Sequence, residues 1–225
     1  MRLSVIVPTL NEAQGVATVL APLQALRAAG HEIIVADGGS ADATPVLAAP
    51  LADRVLAAPR GRARQMNAGA SAARGDAFLF LHADTRLPAN ATETIAQALD
   101  RNAWGRFDVR IEGPSPWLRV IAPMMNLRSR LTGIATGDQA IFVTRAAFEA
   151  VGGFPDQPLM EDIELTHRLK RFGPPACLRE RVATSGRRWE RHGVWPTILL
   201  MWRLRFDYWR GVTAQRLAER YYPEK

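Results

Sequence analysis

The sequence predicts an α/β fold, a mostly parallel central sheet covered by helices on both faces. Two observations carry this expectation. Short, near-continuous apolar runs rich in Val, Ile, Leu and Phe alternate with helical patterns through the first hundred residues, and strands of that kind are buried on both sides. The polar clusters also fall directly after those runs, where open α/β sheets place their ligands.

Leu3-Ser4-Val5-Ile6-Val7 reads as the first strand, closed by the turn Pro8-Thr9-Leu10-Asn11. Residues 12–29 carry an apolar helical face that ends at Gly30. A second buried strand covers 32–36 and runs into the loop Asp37-Gly38-Gly39-Ser40. A short helix over 41–49 leads to a third strand at 54–57. Residues 61–73 are helical again, and 77–81 form a fourth strand. The second half is less regular: strands over 104–111 and 139–144, helices over 116–131 and 161–172, and a largely helical tail over 192–222.

At 225 residues the chain is long enough to bury one substantial core. No linker, repeat or low-complexity tract divides it. Cys177 is the sole cysteine, which excludes an internal disulfide and a cysteine zinc cluster and fits a reducing compartment. The first apolar run breaks at Pro8, too soon for the core of a secretory signal. No stretch approaches the roughly 18–20 apolar residues that cross a bilayer. A cytoplasmic location is expected, with a peripheral one at the inner face of the cell membrane left open.

The net charge of +7 favours anionic partners. Arg60, Arg62 and Arg64 open a helix that continues through Gln65 and Asn67, and a helix N-terminus with guanidinium groups suits phosphate. No nucleic-acid motif accompanies them, so a nucleoside diphosphate is the expected partner rather than a duplex. The segments 117–131 and 195–209 mix tryptophans and aliphatic residues with arginines at helical spacing. Anionic lipid, core packing and a dimer contact all produce that pattern, and the oligomeric state stays open.

Several carboxylates stand at strand ends or helix starts. Asp84 follows the fourth strand in His82-Ala83-Asp84-Thr85, placed to hold Mg²⁺ or Mn²⁺ or to cap a helix. Asp37 precedes two glycines that let backbone approach a ligand, whereas Asp42 and Thr44 read equally well as caps. Glu161 and Asp162 begin a helix, as a general base for a hydroxyl or as ordinary complements to the helix dipole. Gly137-Asp138-Gln139 precedes a strand and is placed on the acceptor side. Arg187, Arg188 and Trp189 offer two phosphate-binding groups and an indole. His82 and His192 are candidate additional metal ligands, although a lone histidine is more often structural.

Together these clusters resemble the family 2 glycosyltransferases, which have the GT-A fold, and the resemblance spans nearly the whole chain. Val5-Ile6-Val7-Pro8-Thr9-Leu10-Asn11-Glu12 is similar to the family's opening strand and nucleotide loop. Asp37-Gly38-Gly39-Ser40 with Asp42 and Thr44 resembles its Asp-Gly-Ser-x-Asp-x-Thr segment with one additional glycine. Asn67-Ala68-Gly69 resembles its Asn-x-Gly helix, Ala83-Asp84 the end of its Asp-x-Asp metal motif, and Glu161-Asp162 its Glu-Asp general-base pair. His82 replaces the first Asp of Asp-x-Asp. Ser185 stands at the Gln position of the Gln-x-x-Arg-Trp motif of processive synthases, so processive synthesis is not expected. The pattern is most similar to a short bacterial group described as transferase 2, rSAM/selenodomain-associated.

The resemblance implies an inverting transfer from a UDP- or GDP-sugar to a small-molecule or lipid-linked hydroxyl acceptor. Donor contacts would come from Pro8, Thr9, Glu12, Asp37, Gly38, Ser40, Arg62, Gln65, Asn67, Ala83, Arg187 and Arg188. Asp84 would hold the metal, Asp162 beside Glu161 would serve as base, and Gly137, Asp138, Gln139 and Trp189 would face the acceptor. One domain over 1–225 is expected: a donor half at 1–100, an acceptor and catalytic half at 101–190, and a basic amphipathic tail at 191–225. A nucleotidyltransferase would need a Gly-rich basic loop after strand one, which Pro8–Glu12 is not. A non-catalytic binder of nucleotide sugars or anionic membranes remains as the rival.

Overall fold

A computed structural model describes residues 1–222. The strands are β1 (Leu3–Thr9), β2 (Glu32–Asp37), β3 (Arg54–Ala57), β4 (Ala77–Phe80), β5 (Thr85–Arg86), β6 (Trp104–Glu112), β7 (Phe142–Thr144) and β8 (Ala176–Ser185). They form one sheet in the order β3-β2-β1-β4-β7-β6-β8-β5. From β3 to β4 all pairs are parallel, as expected. Beyond β4 the sheet is mixed: β7 runs antiparallel to β4 and β6, β6 pairs parallel with β8, and β5 closes antiparallel on β8.

Strand alternation separates the two faces. Leu3, Val5 and Val7 of β1, with Ala77 and Leu79 of β4, enter one core. It is covered by α1 (Val16–Leu20), α2 (Gln24–Ala28), α3 (Thr44–Ala48), and later α5 and α6. Ile6, Phe78 and Phe80 enter the opposite core under α4 (Arg62–Ala72). The remaining helices are α5 (Ala91–Leu99), α6 (Leu118–Thr132), α7 (Arg145–Ala150), α8 (Glu161–Leu169), α9 (Arg187–His192), α10 (Val194–Trp209) and α11 (Ala214–Tyr221). Helices α7 and α8 join α4 on the second face. Gly69 marks how closely α4 lies on β1: a Cβ there would come within 2.4 Å of Ile6 Cγ2.

Several boundaries differ from expectation. The single helix expected over 12–29 is broken by a 3₁₀ turn, Ala21–Leu23, where Pro22 lacks an N–H and cannot continue the α-helical ladder. The expected strand over 139–144 starts only at Phe142, because Gly137–Gln139 forms a 3₁₀ turn. Strand β8 was not expected, since Arg179, Glu180 and Arg181 mask its alternation; it nevertheless pairs with β6 along most of its length.

A third, smaller core joins Leu159 and Met160 to Leu204, Leu217 and Ala218 of α10 and α11. Met160 adopts φ 65° although it is not glycine. A bulky side chain in the left-handed region costs on the order of 1–3 kcal/mol. Its burial in this cluster supports the conformation, and the turn it makes sets the start of α8.

Candidate active site

The carboxyl ends of β1 and β2 carry two loops laced to each other. Asn11 N–H donates to Ser40 Oγ at 2.8 Å, and Ala41 N–H donates back to Asn11 Oδ1 at 2.8 Å. Glu12 N–H donates to Thr44 Oγ1 at 2.8 Å, Ala13 N–H to Asp42 Oδ2 at 3.1 Å, and the Thr44 hydroxyl to Asp42 Oδ1. The Thr44 hydroxyl bond holds the Asp42 carboxyl below its ordinary range. Asp37 is buried and accepts from Thr9 Oγ1, Ser40 Oγ and the Gly39 and Ser40 N–H groups. Four protein donors therefore order this carboxylate and the turn around Gly38.

Gln65 donates to the carbonyls of Thr9 and Ala36 at 2.7 and 2.9 Å, tying α4 to the ends of both strands. Asn67 exchanges two hydrogen bonds with the backbone of Phe154. Gln139 is fully buried and accepts from Thr136 N–H. Trp189 is half-buried and packs against the first core. These four side chains face protein partners, while Pro8 and Thr9 are buried at the end of β1.

Beside the laced loops lies a pocket of roughly 270 Å³ lined by Gly15, Ala83, Asp84, Glu112, Ser185 and Arg187 among others. Ser185 N–H donates to the Asp84 carbonyl at 3.2 Å, so the end of β8 fixes the backbone at Asp84. Arg187 Nη2 lies 3.3 Å from Glu12 Oε2 and 3.7 Å from Asp84 Oδ2. Among the described residues the only hydrogen bond to the Asp84 carboxylate is a long one, 3.3 Å, from Thr85 Oγ1. It thus keeps lone pairs for a cation. Among the described residues no three His, Cys, Asp or Glu side chains converge as a metal cluster, so His82 and His192 do not build a protein cage with Asp84. One carboxylate still fits Mg²⁺ or Mn²⁺, which draw most of their shell from phosphate and water.

Asp162 Oδ2 accepts from Gly137 N–H at 2.8 Å and Oδ1 from Ile163 N–H at 2.7 Å. Glu161 is buried, with Arg62 Nη1 at 3.8 Å. Burial, reinforced by the Asp162 charge, pushes the Glu161 carboxyl above its ordinary value against the pull of Arg62. His82 Nδ1 lies 3.3 Å from Asp138 Oδ1, and its ring lies so close to Gly137 that a Cβ there would sit 2.3 Å from Nε2. Arg62 and Asp138 keep 43% and 48% of their side-chain surface exposed. Burial raises the Asp138 carboxyl, but the His82 hydrogen bond and the charges of His82, Arg62 and Arg188 more than reverse this, leaving it below its usual range.

Tyr221 at the end of α11 also reaches these groups, unforeseen from the sequence. Arg188 Cζ stacks 3.7 Å from its ring centroid, and burial pushes the Tyr221 hydroxyl up to about 12 against the charges of Arg62 and Arg188. His192 is exposed at the end of α9.

Residues 4–149 match the family model described as Glycosyl transferase family 2. The chain belongs to glycosyl transferase family 2. A curated relative, the beta-monoglucosyldiacylglycerol synthase of Synechocystis, is 24% identical over 216 residues, covering 84% of this chain and 45% of the relative. The chain therefore spans under half of that protein's length. Among solved structures, S. aureus TarS residues 1–349 align with TM-score 0.64 and 18% identity, covering 82% of this chain and 60% of that one. The Pyrobaculum calidifontis mannosyltransferase PcManGT, in complex with GDP-Man and Mn²⁺, aligns with TM-score 0.62 and 22% identity over 81% of this chain and 56% of its own. These glycosyltransferases share the GT-A fold with this family 2 chain. Glu161 and Asp162 lie beyond the stretch matched by the family model.

Proposed function

We propose that the chain transfers a sugar from a UDP- or GDP-sugar to a hydroxyl acceptor, non-processively and with inversion at the anomeric carbon. The observation that carries this reading is the pairing of two features at one sheet edge: the Asp84–Arg187–Glu12 pocket and the Asp162–Gly137 contact. The laced loops after β1 and β2 seat the nucleoside. Asp84 would hold a divalent cation, which when bound would supply charge neutralisation at the diphosphate. Arg187 supplies hydrogen bonds there, exchanging its contacts with Glu12 and Asp84 for phosphate oxygens. Asp162 takes the acceptor proton, its orientation fixed by two backbone N–H groups. Relatives with bound ligands support the donor class: PcManGT holds GDP-Man and Mn²⁺, and TarS holds UDP-GlcNAc.

A lipid-linked acceptor at an anionic membrane fits the outer surface. Trp117, Val120, Met124, Leu127 and Leu131 are exposed at helical spacing on and beside α6; Trp195, Leu199, Trp202, Phe206 and Trp209 repeat the pattern on α10. Trp117 and Trp195 meet with ring centroids 5.0 Å apart, which joins the stripes into one apolar face. Arg119, Arg203 and Arg210 are exposed on the same two helices or at their ends, the arrangement that an anionic interface attracts. The curated relative's name, a diacylglycerol glucoside synthase, supports the same class. No helix among the described residues is long and apolar enough to cross a membrane.

Thermal-shift titration with UDP- and GDP-sugars, with Mg²⁺ or Mn²⁺, tests the donor. A nucleotide sugar that stabilises the protein and is hydrolysed only with metal supports the enzyme; binding without any turnover leaves a non-catalytic binder. Flotation with phosphatidylglycerol vesicles tests the apolar face. Absence of co-flotation together with a concentration-dependent dimer would assign the face to a second copy instead.

A further inference from the structure

Arg128 carries two of the four buried side-chain atoms that lack a hydrogen-bond partner among the described residues, Arg188 Nε and Thr136 Oγ1 being the others. It lies on α6 between Leu127, which faces solvent, and Ser129, which is fully buried. Its Nε and Nη2 are shielded from solvent and have no hydrogen-bond partner among the described residues. The charges of Asp162 and Asp138 favour its guanidinium, and that of Arg106 opposes it. Neither carboxylate accepts a hydrogen bond from it. Asp162 is engaged by the N–H groups of Gly137 and Ile163, and Asp138 is paired with His82. Arg106 is itself fully paired, donating to Ser129 Oγ, to the Asn126 carbonyl and to Asp108.

Shielded guanidinium nitrogens without hydrogen bonds lose hydration that nothing replaces. Chains keep such groups where a ligand supplies the missing acceptors. The planar fork of arginine matches a carboxylate or phosphate with two parallel N–H bonds. The donor diphosphate is already provided for by Asp84 and Arg187. Arg128 instead lies within electrostatic reach of Asp162, where an acceptor hydroxyl would lose its proton.

Building on the proposed transferase reading, we infer that Arg128 binds an anionic group of the acceptor, a phosphate or a carboxylate placed close to the hydroxyl that receives the sugar. The ion pair orients that hydroxyl toward Asp162 and excludes neutral alcohols, because these leave the guanidinium unpaired.

The test uses the full chain saturated with UDP and Mg²⁺. Glycerol phosphate and glycerate are titrated as soluble probes, phosphatidylglycerol vesicles as the lipid form, and glycerol and vesicles of an uncharged, phosphate-free glycolipid as neutral controls. Wild-type protein is expected to bind at least one anionic probe and neither control. Binding of a soluble probe assigns a free acceptor; binding of phosphatidylglycerol alone assigns a headgroup. R128M is expected to weaken that binding roughly tenfold or more, R128K to recover part of it, and both to bind UDP within about twofold of wild type. R128M also removes the unpaired charge, so its melting temperature without ligand is expected to match or exceed that of wild type. Equal anion binding by wild type and R128M overturns the inference, as does equal binding of glycerol and glycerol phosphate, or binding of no probe. Failure of wild type to bind UDP with Arg128-dependent anion binding intact would instead remove the donor reading and leave the anion site standing.

Discussion

Gly137 and Asp162 are joined by a 2.8 Å hydrogen bond from the Gly137 N–H to Asp162 Oδ2. Gly137 also lies under the His82 ring, where any Cβ would collide. One glycine thereby fixes both the carboxylate proposed as base and the imidazole paired with Asp138. Asp162→Asn keeps an oxygen for the Gly137 N–H but cannot accept the acceptor proton. Transfer is expected to fall by about 10²–10⁴ with donor affinity unchanged, measured by steady-state kinetics beside UDP titration.

Gly137→Ala should act differently, by displacing His82 from Asp138. Loss of both transfer and thermal stability is expected, the latter by about 1–3 kcal/mol, read from denaturant unfolding. Transfer and stability equal to wild type would mean that the turn yields more readily than its packing implies.

Glu161 gives a pH dependence of defined sign. Its folded carboxyl is raised above the unfolded value by burial and by Asp162, so the native state holds the proton more tightly. Stability therefore falls as pH rises from the ordinary carboxyl range through the raised value. Glu161→Gln should stabilise the protein at neutral pH, and the difference should vanish on acidification toward pH ~4, near the ordinary carboxyl value. Melting curves across that range check it.

Thr44→Val removes the hydroxyl that accepts from Glu12 N–H and donates to Asp42. A loss of about 1 kcal/mol in stability is expected, with weaker UDP binding because the two donor loops are no longer held together. Calorimetric titration reads the second effect separately.

The parallel half of the fold was legible because β1, β2 and β4 are continuous apolar runs that only a doubly covered sheet buries. Asp37, Asp84 and Arg187 were legible as strand-end or helix-start polar groups. Other features were hidden for physical reasons. Strand β8 carries Arg179, Glu180 and Arg181 and mimics a surface loop. Gln65, Asn67 and Gln139 bond protein groups, partners that a string of letters does not announce. Arg128 read as one basic residue of an amphipathic helix, because a residue's place on the shielded side of that helix depends on contacts from β6 and the Gly137 turn. Tyr221 reaches the site only through the packing of α10 and α11.

That packing bears on how the protein can be cut. Leu159 and Met160, which set the entry into α8, rest on Leu204, Leu217 and Ala218 of the last two helices, and Tyr208 reaches Glu164 of α8 with its hydroxyl at 3.3 Å. The tail is a buttress under Glu161 and Asp162 as well as an outward-facing surface. Trimming the chain after Gly193 to rid it of exposed tryptophans would uncover the underside of Met160 and release its left-handed turn, so a shortened protein would lose the alignment of its own carboxylates along with its greasy face.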